Sequence, residues 1–142
     1  LAFFWGRLLE KRGRLDESIK AYSRTLQNYP NSRDTWASIG RVYWLAGRVD
    51  DSIKVYRNVL RIDPENALAF HQLSLAYKSL SASEKNSEKQ EEYTLAAKEF
   101  EKGFEKYKLD EDASAVTQKY RAEHPHDNRM SQKMVIHEEV KR

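Results

Sequence analysis

Apolar residues recur along most of the chain at spacings of three and four, which puts them on one side of an α-helix. Trp36, Ile39 and Tyr43 are one such set. Glycines, prolines and short polar runs interrupt the pattern and mark the ends of helices. The pattern predicts an all-α protein with helices at residues 1–12, 15–28, 33–46, 49–61, 67–81, 87–107 and 111–123.

The predicted helices repeat with a step of 34 residues. The residues that share this step are Gly6 and Gly40, Gly13 and Gly47, Arg14 and Arg48, Asp16 and Asp50, Ser18 and Ser52, Ile19 and Ile53, Lys20 and Lys54, Tyr22 and Tyr56, and Pro30 and Pro64. A third copy begins near Ala67, where Phe70, Leu73 and Tyr77 match Trp36, Ile39 and Tyr43. A period of this length with helical spacing indicates a stack of helix pairs.

The repeated glycines, aspartates and prolines have physical roles in such a pair. Gly40 lacks a side chain where the first helix must approach the second closely. Gly47 follows the first helix, at a position that favours left-handed backbone. Asp50 is an anion near the start of the second helix, and Pro64 ends that helix. These residues therefore predict the fold rather than a chemistry.

The second copy has the fullest motif: Trp36-x2-Ile39-Gly40-x2-Tyr43, then Gly47, Ser52, Tyr56 and Pro64. In these residues the chain resembles the tetratricopeptide repeat family, over about residues 1–108. The resemblance implies a right-handed superhelical solenoid of antiparallel helix pairs, with about three repeats and a C-terminal capping helix. It also implies a protein that binds another protein.

The repeats divide the chain into five segments. These are a first repeat at 1–32, a second at 33–66, a third at 67–110, a capping helix at 111–123 and a polar tail at 124–142. Leu1 begins inside a predicted helix, so we expect the first repeat to be truncated and the natural chain to extend before it. The tail is similar to the C-terminal ends of large bacterial tetratricopeptide proteins, which implies a bacterial fragment.

The third repeat departs from the step of 34. Matching Ala96 with Ser52 and Phe100 with Tyr56 gives a spacing of 44, so about ten polar residues between Ser81 and Gln90 are extra. We expect them to lengthen the two helices and their turn, either as a surface insertion or as a docking arm. In the capping helix, Ala113, Val116 and Tyr120 form one stripe, with Asp110 or Asp112 near its N-cap.

Charge is distributed unevenly along the chain. Residues 1–80 contain 13 Lys and Arg against 8 Asp and Glu, whereas residues 81–112 contain 6 against 10. A basic N-terminal part followed by an acidic segment favours head-to-tail association or an acidic partner over nucleic acid. No apolar run approaches the ~18 residues of a membrane span, so we expect no membrane partner.

The sequence has no motif of a catalytic site. It lacks cysteine, a Gly-rich phosphate loop and an HExxH motif. The pair His124 and His126 beside Asp127 supplies too few ligands for a metal site, and we interpret these histidines as exposed tail residues. We therefore expect a protein that is not an enzyme and that has no cofactor and no metal.

The family resemblance implies a partner-binding groove lined by the first helix of each pair. Its candidate residues here are Phe3, Arg7, Lys11, Arg41, Trp44, His71 and Lys78, with Ala37, Leu45, Gln72 and Leu75 beside them. Arg7 and Arg41 lie one repeat apart and predict a basic ladder. Their guanidinium groups suit carboxylates, and Trp44 is a candidate apolar anchor. Alternatively, Arg7, Arg41 and Lys78 are solvated surface residues.

The groove differs from that of relatives that bind the C-terminal carboxylates of chaperones. The corresponding positions hold Phe3, Arg7, Ser38, Leu68 and Gln72 instead of the lysines and asparagines of that motif. The sequence therefore predicts a protein-interaction scaffold for a peptide or protein segment, of acidic character, bound in the groove. The alternative is a structural spacer, or a module that self-associates through its exposed ends or tail.

Overall fold

The computed structural model describes the backbone of residues 1–124, and the side chains of this range except those of residues 109–115. It has six helices and no strand in this part of the chain, which confirms the all-α class. They are α1 (Ala2–Lys11), α2 (Leu15–Asn28), α3 (Arg33–Leu45), α4 (Val49–Ile62), α5 (Ala67–Ser83) and α6 (Ser87–Glu123). Within the described residues, no helix is long and apolar enough to cross a membrane.

Two compact units divide the chain, Leu1–Tyr107 and Lys108–Arg142. The first contains α1 to α5 and the first part of α6, which form three helix pairs. The boundary falls inside α6, and each unit is described by itself.

A glycine and a tyrosine hold the two helices of each of the first two pairs close together. A Cβ atom on Gly6 would lie 2.7 Å from the ring of Tyr22, and one on Gly40 would lie 2.8 Å from the ring of Tyr56. Beside these contacts, the Ser18 hydroxyl donates to the carbonyl of Gly6 (2.8 Å), and the Ser52 hydroxyl to that of Gly40 (2.9 Å). The predicted close approach at these glycines is confirmed.

The turns and helix starts repeat in the same way. Gly13 and Gly47 have φ angles of 75° and 76°, the left-handed conformation expected after the first helix of each pair. Between pairs, Ser32 caps α3 by accepting from the Thr35 amide. Asn66 caps α5 by accepting from the Ala69 amide at 2.8 Å.

Two buried clusters join neighbouring pairs. Tyr22, Ile39, Val42 and Val55 form the cluster between the first and second pairs, with Ile19 and Leu26 packed against it. The other joins α4 and α5 and consists of Ile53, Tyr56, Val59, Ala69, Leu73 and Ala76. Each second helix therefore packs against its own first helix and against the first helix of the next pair.

The third pair has a different register from the one predicted. Ala97, and not Ala96, is buried, at 2% exposure. Lys78 stands at the repeat position of Glu10 and pairs with Glu101 on the other helix (3.5 Å). In the first pair, Glu10 pairs in the same way with Tyr22, which is equivalent to Tyr56, so Glu101 takes the position of Tyr56. The spacing is therefore 45, and the predicted match of Phe100 with Tyr56 is wrong by one residue.

The spacing of 45 shows which residues of the third pair stand where the first two pairs have the glycine–tyrosine contact. Glu101 stands at the position of Tyr56, and Ser74, which is buried, stands at the position of Gly40. The close aromatic contact lies instead between Phe70 and Gly103, where a Cβ atom on Gly103 would meet the Phe70 ring. The extra residues lengthen α5 to Ser83, and α6 begins at Ser87.

The second unit differs from the prediction in its helix bounds. One helix, α6, extends from Ser87 to Glu123, where two helices were predicted. Val116 and Tyr120 are 67% and 51% exposed. The capping function of residues 111–123 stays a prediction, and Ala113, Asp110 and Asp112 are among the residues whose side chains are not described. Of the tail, residues 125–142, including His126, Asp127 and His137, lie outside the described residues.

Candidate functional site

A pocket of about 340 Å³ lies between the first helices of the first two pairs. Phe3, Arg7, Glu10 and Lys11 of α1 line it, with Ser38 and Arg41 of α3. The α1 residues are spaced by three and four and so fall on one side of that helix. We call this cavity the α1–α3 pocket.

Four of the predicted groove residues, Phe3, Arg7, Lys11 and Arg41, meet in this pocket. The other three have different contacts. Trp44 is half-buried and packs against the cluster between α4 and α5. The His71 ring lies 4.8 Å from the ring of Phe104, and Lys78 pairs with Glu101.

Glu10 organises the charge of the pocket. Its carboxylate accepts from Arg41 Nε at 2.6 Å and Arg41 Nη2 at 2.8 Å, and from the Tyr22 hydroxyl at 2.8 Å. Its side chain is 12% exposed. Burial alone raises the pKa of Glu10, but the hydrogen bonds from Arg41 and Tyr22 outweigh it and hold that pKa below its ordinary value.

The same network acts on its other members. Glu10 raises the pKa of the Arg41 guanidinium through the hydrogen bonds it accepts. Burial, together with the bond to Glu10, raises the pKa of the Tyr22 hydroxyl. Arg41 is therefore held in a bidentate pair that joins the first repeat to the second. The basic ladder of Arg7 and Arg41 stays a prediction.

Arg7 and Lys11 carry the pocket's remaining positive charge. Both side chains are exposed, and among the described residues neither forms a salt bridge. Three cations and one carboxylate line the pocket, which leaves it with a formal charge of +2. A concavity focuses the field of the charges that line it, so the electrostatic potential in the pocket is positive.

Apolar and hydroxyl groups complete the lining. The half-buried Phe3 ring lies 5.5 Å from the ring of Tyr22. Ser38 is 5% exposed and donates its hydroxyl to the carbonyl of Asp34 (2.9 Å). The pocket therefore combines two exposed cations, an aromatic surface and a polar wall.

Sequence reasoning missed Glu10 as a pocket residue. Its signal was present, because Glu10 lies 34 residues before Trp44, at the same repeat position. A carboxylate at that position faces the arginine of the next repeat, whereas the Trp44 indole faces α5. Within the described residues, no group of three or more His, Cys, Asp or Glu side chains could hold a metal ion.

The helix pairs and their glycine–tyrosine contacts define a helical-repeat protein. Residues 5–67 match the family model described as Tetratricopeptide repeat. The match confirms the tetratricopeptide motif over these residues, as the sequence predicted. Tetratricopeptide repeats are in general protein–protein interaction modules and non-enzymatic scaffolds.

Among solved structures, the chain is similar to the crystal structure of MamA, with a TM-score of 0.58. The sequences are 23% identical, and the similarity covers 75% of this chain and 60% of that chain. At this identity the likeness shows the solenoid fold alone. A comparison with curated proteins finds no match. Bacterial origin stays a prediction.

Proposed function

We propose that the chain is a protein-interaction scaffold, and not an enzyme, whose α1–α3 pocket binds an acidic, extended segment of a partner protein. The observation that carries the proposal is the pair of exposed cations, Arg7 and Lys11, beside the concavity. One helical turn separates them, so a single carboxylate or two neighbouring ones can reach both.

The Glu10–Arg41 pair gives this pocket its selectivity. Because Arg41 is already held by Glu10, a ligand carboxylate binds to Arg7 and Lys11 rather than to Arg41. The carboxylate of Glu10 repels an anion that goes deeper, towards Tyr22. The ligand's acidic side chain therefore stays near the rim, where long cationic side chains can follow it.

Phe3 supplies the apolar contact. Its ring is half-buried on Tyr22 and also borders the pocket, so an apolar ligand side chain next to the acidic one can pack on a rigid surface. Trp44, which packs against the α4–α5 cluster, has less surface left for this purpose. The favoured ligand is thus a segment with Asp or Glu adjacent to a large apolar residue.

Selection from a random-peptide display library tests this proposal. The bait is the full chain, compared with the charge-reversal variant Arg7→Glu/Lys11→Glu. The matched control is Lys20→Glu/Lys54→Glu, which changes the same net charge at two exposed lysines on α2 and α4. We expect wild type and control to enrich Asp or Glu beside an apolar residue, and the pocket variant to lose that enrichment. Enrichment of the same peptides by all three proteins would refute the pocket as the site.

A further inference from the structure

One side of α1 exposes large apolar side chains to solvent. Phe4 is 69% exposed, Trp5 51% and Leu8 39%. They are spaced by one, three and four, so they form a continuous stripe on the helix. We call this the α1 stripe. Exposed apolar surface of this kind marks a contact with another molecule or segment.

The repeat reveals what covers the equivalent stripe elsewhere in the chain. One repeat later, at the step of 34, the positions of Phe4, Trp5 and Leu8 are held by Ser38, Ile39 and Val42. These three residues of α3 are only 5%, 3% and 0% exposed. Helix α2 covers them, and its Tyr22, Ile19 and Leu26 pack in the same cluster. The α1 stripe is thus the same contact surface without its second helix.

The other end of the first unit does not offer that second helix. Val49, Ile53, Tyr56, Val59 and Leu60 are the α4 residues that pack in the cluster with α5. With the spacing of 45, their positions on α6 are held by Thr94, Lys98, Glu101, Phe104 and Glu105. Phe104 is half-buried beside His71, and the three charged residues are exposed. This side of α6 is therefore mainly polar, which disfavours the stacking of a further helix on it.

A second copy of the chain is therefore a poor occupant of the α1 stripe. Its α2 and α4 already pack against α3 and α5, and its α6 presents charged residues at the matching positions. We propose instead that the α1 stripe receives the second helix of a further tetratricopeptide-type helix pair, stacked on α1 as α2 is stacked on α3. That helix carries large apolar residues at the positions of Ile19, Tyr22 and Leu26.

A fusion in repeat register tests the proposal. A copy of residues 1–34 is joined directly before Leu1 of the full chain, which continues the step of 34. The matched control fusion has Ile19→Lys and Leu26→Lys in the added copy only. Thermal unfolding of the parent and both fusions is followed by circular dichroism, which also reports whether the added pair is helical.

The apolar fusion should unfold at least ~5 °C above the parent, and the lysine fusion should lose that gain, because stability in repeat proteins depends on the interfaces between neighbours. Trp5→Ser is then made in the original α1 and not in the added copy. It should lower the unfolding midpoint more in the apolar fusion than in the parent, because the added pair covers this tryptophan only in the fusion. Equal midpoints for the two fusions, or an equal effect of Trp5→Ser in fusion and parent, would overturn the proposal. A dimer of the parent chain in light scattering would also overturn it if Leu8→Lys dissociated that dimer, because a second copy would then occupy the α1 stripe.

Discussion

The close contact between Gly40 and Tyr56 leads to a prediction about Gly40→Ala. Whether this change lowers or raises the free energy of unfolding should depend on the side chain at residue 56. The alanine Cβ in Gly40→Ala would lie 2.8, 2.9 and 3.0 Å from three atoms of the Tyr56 ring. Ordinary contact needs about 3.5 Å or more, so the ring has to move. Tyr56 is only 2% exposed and packs with Ile53 and Val59, which leaves it little room.

Two effects of opposite sign compete in this variant. Alanine favours the helix over glycine by about 0.5–1 kcal/mol, whereas overpacking a buried contact costs about 1–3 kcal/mol. We therefore expect Gly40→Ala to lower the free energy of unfolding by about 1–2 kcal/mol in urea denaturation. In a Tyr56→Leu background the ring is absent, and the same change should raise the free energy of unfolding by about 0.5–1 kcal/mol.

Gly47→Ala is the control. An alanine Cβ there meets no atom within 4 Å, so its cost comes from the φ of 76° and should be the same in both backgrounds. If Gly40→Ala has the same sign with and without Tyr56, the close-contact explanation is wrong.

Two further predictions concern polar contacts. Glu10→Gln should destabilise the chain by about 2 kcal/mol at neutral pH, because it weakens hydrogen bonds to Arg41 and Tyr22. The pKa of Glu10 is lowered on folding, so its stabilisation is present at neutral pH and is lost as the pH falls below its ordinary value of 4.5. The unfolding free energies of wild type and variant should then converge, and a constant difference across that range would contradict the role of the carboxylate. Asn66→Ala should cost about 1 kcal/mol by removing the cap of α5, with Asn58→Ala as the mid-helix control; equal costs for the two would argue against capping.

Much of the fold followed from residues that are required where two helices pack closely. The step of 34 is visible in the sequence because Gly6, Gly40, Tyr22 and Tyr56 have few substitutes where two helices touch. The third pair was harder, because Ser74 and Glu101 replace that contact and remove its signal. With neither glycine nor tyrosine to align, a register of 44 could not be told from one of 45.

The position of the pocket was predictable from the sequence, but the ion pair inside it was not. Repeat spacing put Phe3, Arg7, Lys11 and Arg41 on neighbouring first helices. Whether Arg41 faces solvent or a carboxylate depends on which residue of the preceding helix lies opposite, and that follows from the stacking geometry rather than from spacing. Glu10 at 2.6 Å from Arg41 is such a partner.

The affinity of a library-selected acidic peptide tests the central claim most directly. Its Kd is measured by fluorescence anisotropy for wild type, for Arg7→Ala/Lys11→Ala and for the control Lys20→Ala/Lys54→Ala. Loss of both pocket cations should raise the Kd by about tenfold or more and flatten its dependence on salt, while the control should bind like wild type. Equal weakening by the two double variants would mean that net charge, and not the α1–α3 pocket, attracts the peptide, and the claim would fail.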